Sequence, residues 1–248
     1  MPQQWIFDRD AYQELNEARL SFLQPAFADA KTFFQARTAA DVGCGLGYFT
    51  DKLRNLGFTA TGLEGRRENA EEAKHRFPQL DFQVVNIEDP RAAEVGTFDL
   101  VLCLGLLYHL ENPLQAVRNL HALTGSLLIL ESQCTPEELP RMVLFEEAAV
   151  EDQGLRHVAF YPSEGCLVKM LYVSGFTHVW RFRSAPDHAD FRQTRNRKRV
   201  RTFLFAARTA VPFPYLTPAR DPGFPGDVWM TDWARTKHWA KRLLPFAK

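Results

Sequence analysis

Asp41-Val42-Gly43-Cys44-Gly45-Leu46-Gly47 stands between a short apolar run, 38–42, and a helix-like one that begins at Tyr48. Glycines at alternate positions let the backbone turn sharply and let a ligand approach where a Cβ would collide. The helix that follows presents unpaired N–H groups and the positive end of its dipole, which suits a carboxylate. A dinucleotide fingerprint needs glycine at its first, third and sixth positions. Counted from Gly43, the sixth position here is Tyr48, which sets this loop apart from that pattern.

Outward from the loop, the chain reads as strands separated by helices. Upstream, Ala11, Leu15, Ala18 and Phe22 recur at helical spacing from Asp8, and Pro25 predicts the start of a second helix carrying Phe27, Ala30 and Phe34. Downstream, 38–42 is a first buried strand, 48–55 its helix and Gly57 the residue that ends it. A second strand at 58–63 ends at Glu64-Gly65, a helix at 68–77 stops before Pro78, and a third strand follows at 81–85. The fourth, 98–104, is almost wholly apolar, as a strand covered on both faces should be. Asn112-Pro113 supplies an N-cap and a first-turn proline for a helix ending near Thr124-Gly125, and 126–130 is a fifth strand.

Such alternation predicts an α/β fold of right-handed βαβ units, with helices on both faces of a mostly parallel sheet and the site at the strands' carboxyl ends. Beyond Glu131 the rhythm breaks. Thr135-Pro136-Glu137-Glu138 has the form of a capping box, yet no clear period runs from there to Tyr161, so 132–161 reads as an inserted cap over the substrate. A helix resumes at 162–174 before Gly175, and 176–182 and 200–206 are two final strands paired antiparallel. The stretch from Val211 to Lys248 is rich in proline and tryptophan and ends in a basic, helix-like piece.

At 248 residues and 46% hydrophobic content, the chain can bury one large core with an appendage. Thirty basic residues balance thirty acidic ones, so nothing global argues for nucleic acid or an anionic membrane. Cys44, Cys103, Cys134 and Cys166 are far apart and form no CxxC pair, which argues against a zinc site and a disulfide framework and fits a reducing compartment. Met1-Pro2-Gln3-Gln4-Trp5 lacks a basic head followed by an apolar core, and no run approaches eighteen apolar residues. A cytoplasmic protein without a metal is the expectation.

From about Thr38 to Glu131, and more weakly to Ala206, the order of elements resembles the class I S-adenosylmethionine-dependent methyltransferases. Asp41, Gly43, Cys44, Gly45 and Gly47 match that family's first motif, which wraps the methionine and ribose portion of the cofactor. The resemblance implies a seven-stranded Rossmann-like sheet with a terminal antiparallel strand. It divides the chain into an N-terminal helical lid (1–36), a cofactor-binding domain (37–208) and a C-terminal extension (209–248). Glu64, before Gly65 at the end of the second strand, matches the acidic residue that accepts hydrogen bonds from both ribose hydroxyls. Asn86 and Ile87 match the adenine-facing turn, where the first position is more usually aspartate. Leu104 and Gly105 end the fourth-strand signature, and Leu106-Leu107-Tyr108-His109-Leu110 has tyrosine where small-molecule methyltransferases often carry a first histidine. A Leu-Tyr-His run also resembles the tRNA wobble-uridine carboxymethyltransferases, which hold the extra carboxylate of a carboxylated cofactor partly with such a tyrosine. Their long N-terminal extension has no counterpart in the thirty-odd residues before the first strand.

A sulfonium donor carries an already activated methyl, so alignment of a nucleophile and exclusion of water are the main demands, and a base is needed only for an acceptor that must lose a proton. His109, Tyr108 and Glu131, at strand ends, are the catalytic candidates; Glu146, Glu147 and His157 fall in the insertion. The basic run of Arg192, Arg195, Arg197, Lys198, Arg199 and Arg201 would suit RNA, but no aromatic RNA-binding motif accompanies it, and a solvated loop is preferred. In 231–246, Trp233, Trp239, Leu243 and Leu244 beside Arg235, Lys237, Lys241 and Arg242 would suit a membrane surface, with packing against the domain or a partner preferred. Ordinary methyl transfer to a small-molecule acceptor ranks first, tRNA modification second and a non-catalytic interaction protein third, with the oligomeric state open.

Overall fold

The computed structural model of the chain describes residues 5–146, 154–155, 157–192 and 200–222. Its helices are α1 (Asp10–Thr32), α2 (Tyr48–Asn55), α3 (Arg67–Arg76), α4 (Pro113–Leu123) and α5 (Glu164–Val173). Its strands are β1 (Thr38–Val42), β2 (Thr59–Glu64), β3 (Asp81–Val84), β4 (Phe98–Leu104), β5 (Thr124–Cys134), β6 (Met142–Glu146), β7 (Val158–Pro162), β8 (His178–Phe182), β9 (Val200–Ala207) and β10 (Leu216–Pro218).

Eight strands form one sheet in the order β10-β8-β9-β5-β4-β1-β2-β3. The run from β5 through β4, β1 and β2 to β3 is parallel, while β9 lies antiparallel between β5 and β8. That is the mostly parallel Rossmann-like methyltransferase sheet expected, with one strand more than the expected seven. The extra strand is β10, three residues ending in Pro218 that pair antiparallel with β8. A strand this short has no alternation to read. It exists because the edge of β8 offers a ladder, and proline is tolerated at such an edge.

Both faces of the sheet are covered. On one, Leu100, Leu102, Leu127, Ile129, Phe203 and Phe205 pack with Leu23, Phe27 and Ala30 of α1 and Phe49 and Leu53 of α2. On the other, Val101, Cys103, Leu128, Leu130, Leu204 and Ala206 meet α4 and α5. The period-2 alternation of β4, β5 and β9 therefore feeds two cores, which is why these strands are apolar throughout.

Two local expectations are corrected. The N-terminal region holds one helix, α1, with Pro25 inside it, instead of two. Pro25 and Ser21, whose carbonyl loses its amide partner, are both exposed, so water can serve that carbonyl while the buried Leu23, Ala26, Phe27 and Ala30 hold the helix to the sheet. The apparent capping box at Thr135 opens no helix. Thr135 donates its amide to Pro162 and accepts from Glu164, tying the end of β5 to the start of α5. Within 132–161, β6 and β7 pair as an antiparallel hairpin. Ser163 then caps α5 by accepting from the Cys166 amide, as Asn112 caps α4 by accepting from Gln115. The residues 193–199 and 231–246, which carry most of the basic run and the whole tryptophan-bearing tail, lie outside the described residues, as does Glu147.

Candidate functional site

The glycine loop leaves β1 at the carboxyl edge of the sheet, where the buried Asp41 accepts a 2.8 Å hydrogen bond from the Thr50 hydroxyl of α2. Gly43, Gly45 and Gly47 have φ of 75°, 53° and 88°, a backbone region that L-residues with a Cβ rarely adopt. Gly47 is the N-cap of α2, so the loop turns directly into that helix. Burial pushes the Asp41 carboxyl up to about 7, against the Thr50 bonds that pull it down. Cys44 is buried under the loop, and burial pushes its thiol up, so it is an apolar filler rather than a nucleophile.

Glu64, at the end of β2, is joined to this loop. One carboxylate oxygen accepts from the Gly45 amide at 2.8 Å and the other from the Arg66 amide at 2.9 Å. Asn86 caps its own turn by accepting from the Glu88 amide at 3.0 Å, and the Ile87 carbonyl accepts from the Asn119 side chain at 2.7 Å, so α4 fixes the turn after β3. Val42, Gly43, Glu64, Gly65, Asn86 and Ile87 line one small space of about 30 Å³. Its cover is Gly154 and Leu155: the Arg66 guanidinium donates to the Gly154 carbonyl, and Leu155 lies 3.1 Å from where a Gly65 Cβ would stand.

On the other side of the loop is a cavity of about 840 Å³, within the range of small-molecule sites. Asp41, Gly43, Cys44 and Leu46 border it from the loop, Leu104 from β4, and Phe7, Tyr12, Glu14, Glu17 and Arg19 from α1 and its lead-in. The roof is tied down at two points. Arg76 makes a two-pronged pair with Asp8 at 2.6 and 2.8 Å, and the Tyr48 hydroxyl donates to Glu17 at 2.6 Å. His188 lines the same cavity; its Nδ1 accepts from the Asp190 amide, so a neutral His188 carries its proton on Nε2 and can donate from there.

Leu104 and Gly105 end β4, and Gly105, with φ of 77°, donates its amide to the Glu131 carbonyl at 3.0 Å. Glu131 is fully buried, and both of its carboxylate oxygens are held: Oε2 by Arg19 at 2.5 Å and Oε1 by Arg201 at 2.9 Å. Burial alone would push its carboxyl up, but the two guanidinium groups outweigh it and hold the group below the ordinary range. Tyr108, buried, accepts a 3.3 Å bond from Arg201 and lies against His109, with ring centres 4.1 Å apart and planes tilted by 42°. Neither Tyr108, His109 nor Glu131 borders either space beside the glycine loop.

The structure thus brings Asp41, Gly43, Cys44, Gly45, Gly47, Glu64, Gly65, Asn86 and Ile87 into one neighbourhood. It also adds Phe7, Arg19 and Arg201, which sequence reasoning missed as site residues. A signal existed for both arginines. Arg19 interrupts the apolar face of α1 between Leu15 and Leu23, and Arg201 shares a face of β9 with Phe203 and Phe205. An arginine placed on a core-facing stripe needs a buried partner.

S-adenosylmethionine fits this site at its tail end. The glycine loop forms a cradle that a Cβ would fill, with Phe7 2.8 Å from a Cβ built on Gly45, and the buried Arg19 Nε has no hydrogen-bond partner among the described residues. Among the described residues no group of His, Cys, Asp or Glu is placed to hold a metal ion, and no helix is long and apolar enough to cross a membrane.

The profile of the methyltransferase-domain family matches residues 8–179. The chain therefore belongs to that family, in its class I, S-adenosylmethionine-dependent form. A ubiquinone biosynthesis O-methyltransferase of Xanthomonas campestris is 29% identical over 161 residues, 60% of this chain and 65% of the relative. The counterpart of the same name from Vibrio parahaemolyticus is 32% identical over 114 residues, 44% of this chain and 47% of the relative. The chain thus spans less than two thirds of these curated relatives. In fold it is similar to the N-terminal domain of EvdMO1, solved with S-adenosylhomocysteine (TM-score 0.59, 18% identity, 82% of this chain and 99% of that one). It is also similar to magnesium protoporphyrin IX methyltransferase from Synechocystis, solved with S-adenosylmethionine (TM-score 0.53, 18% identity, 84% and 87%).

Proposed function

We propose that the protein transfers the methyl group of S-adenosylmethionine to a hydroxyl of a small-molecule acceptor, in the cytoplasm. The observation that carries this reading is the cavity of about 840 Å³, whose border runs from the glycine loop to the inner face of α1, so that donor loop and acceptor space are continuous. The relatives named as O-methyltransferases support an oxygen acceptor.

In this reading Gly43, Gly45 and Gly47 admit the cofactor's tail, Glu64 takes the ribose, and Asn86 and Ile87 face the adenine. The bound cofactor supplies a methyl on a sulfonium, an electrophile needing no further activation. The chain's own residues do the rest: α1, tied down by Asp8–Arg76 and Glu17–Tyr48, excludes water, and the strand ends orient the acceptor. Residues 1–36 are the lid in this division of the chain, 37–208 the cofactor-binding domain and 209–248 an extension. Of the three catalytic candidates, none borders the cavity, the Glu131 oxygens are committed and the Tyr108 hydroxyl accepts from Arg201, so this reading assigns the acceptor's proton to none of them. Tyr108 and Glu131 position other groups.

Calorimetry with S-adenosylhomocysteine tests the reading: binding is expected for the native chain, and Glu64→Ala should weaken it at least ~10-fold, the scale of removing one charge-assisted hydrogen bond. Undetectable heat at millimolar ligand overturns it.

A further inference from the structure

Beneath the end of β4, three distant parts of the chain meet in one buried ion cluster. Arg19 of α1 donates to Glu131 at 2.5 Å and to Asn16 Oδ1 at 2.9 Å. Arg201 of β9 donates to Glu131 at 2.9 Å and to Tyr108 at 3.3 Å, and its Nε stands 3.3 Å from Asp190 Oδ2. The side chains of Arg19 and Glu131 are 2% and 0% exposed. Burying such a group loses in desolvation much of what it gains in attraction, so stability alone is a weak reason to keep it. The geometry supplies a better one. Arg19 borders the large cavity beside Gly43 and Cys44, and its Nε has no hydrogen-bond partner among the described residues. A buried donor without a partner costs free energy until an acceptor oxygen reaches it. The rest of this guanidinium is fixed: Nη1 by Asn16, Nη2 by Glu131, with the bare backbone of Gly105 so close that a Cβ there would stand 3.1 Å from Nη2.

We propose that Glu131 is a positioning residue. It holds Arg19 so that the free Nε edge takes the carboxylate of the cofactor's methionine tail, and Arg201 balances the second Glu131 oxygen. The inference rests on the function proposed above. An aspartate or a neutral residue at 131 would fail for different reasons. The first has a shorter reach to α1, and the second gives up the charge that keeps a buried guanidinium from turning toward other acceptors. Arg201 belongs to the same device, since a single guanidinium would leave one Glu131 oxygen buried without a partner.

The test compares two ligands by calorimetry on the full chain: S-adenosylhomocysteine, and 5′-methylthioadenosine, which keeps the adenosine and the thioether but lacks the amino-acid tail. In the native chain both bind. Glu131→Gln is expected to weaken S-adenosylhomocysteine by roughly 10- to 100-fold while leaving 5′-methylthioadenosine within about 2-fold, as follows from removing one charge-assisted hydrogen bond at one end of a ligand. Arg19→Lys keeps a cation beside Glu131 but removes the Nε donor, and should show the same split if Glu131→Gln does not fold. Equal losses for both ligands would mean that the cluster only supports the fold. No loss for either would mean that Arg19 Nε serves the acceptor instead; each result overturns the assignment. Failure of both ligands to bind the native chain would instead remove the cofactor reading itself.

Discussion

Phe7 and Gly45 are in contact at the glycine loop: the ring's Cε1 lies 2.8 Å from the position a Gly45 Cβ would occupy. The lead-in to α1 therefore rests on the bare backbone of the glycine loop, and the loop's lack of side chains makes room for it. Gly45→Ala should lose stability from two sources, the steric displacement of Phe7 and a backbone with φ of 53°, together about 1–2 kcal/mol in urea unfolding. Adding Phe7→Ala to that variant should restore only the steric part. A double variant as stable as Phe7→Ala alone would show that the backbone at Gly45 is unstrained.

Asp41 gives the protein a distinct dependence on pH. Its buried carboxyl titrates near 7 in the fold and near the ordinary aspartate value when unfolded, so the folded state binds the extra proton between these limits. The associated stability is fully present below about pH 4 and is lost as pH rises through about 7. Asp41→Asn should remove this slope, and the urea midpoint of the variant minus that of the native chain should climb between pH 5 and 8. A flat difference would mean that the Asp41 carboxyl is already ionised at pH 5 and that burial does not raise it.

Leu155 covers Gly65 beside the small space at the end of β2, yet its own surface is 42% exposed, so it contributes little to the core. Leu155→Ala should leave the melting temperature within about 2 °C. It should speed association of S-adenosylhomocysteine in stopped-flow fluorescence, because the space beside Glu64 and Asn86 is then larger than about 30 Å³. An unchanged association rate would show that Leu155 does not obstruct entry.

The Asp8–Arg76 pair ties the lead-in of α1 to α3 at an exposed site, with side chains 37% and 30% accessible. Its contribution to stability is therefore at most about 1 kcal/mol and falls with added salt. The bond from Arg76 holds the Asp8 carboxyl below its ordinary value, so the contribution is present above the ordinary aspartate range and is lost as pH falls through the lowered one. Arg76→Ala should raise the dissociation rate of S-adenosylhomocysteine more than it lowers the urea midpoint. The reverse order would mean that the pair braces the fold and not the lid.

How much of this was readable beforehand depends on the reach of the interactions involved. The bounds of β1, α2 and β4 follow from contiguous residues: an apolar run, alternate glycines, a helical period with glycine after it. Each is a local signal, and the structure places these elements where the chain alone predicts them. The class of fold and the placing of the glycine loop belong here too, since Asp41 to Gly47 and Glu64 meet across neighbouring parallel strands, β1 and β2, whose pairing the βαβ rhythm already implies.

Pro25 shows where local rules stop. Its interruption of the helix is real, but the burial of Leu23, Ala26, Phe27 and Ala30 against the sheet outweighs it, and no property of the helix alone reveals that sheet. The strand β10 likewise exists only because β8 has an open edge.

The role of Glu131 lies furthest from the local sequence. Its position just after the apolar run 127–130 suggests a strand end and a base facing the acceptor, whereas β5 continues through it to Cys134. Only the fold brings Arg19, 112 residues upstream, and Arg201, 70 residues downstream, onto its two oxygens. A carboxylate's chemistry is set by the charges beside it, and charges that distant in the chain are chosen by topology, not by neighbours in sequence. The loop and its partner Glu64 were therefore determined by the sequence itself, while the ion cluster under β4, the seat of Phe7 on Gly45 and the shape of the cavity beside the loop were decided by tertiary structure.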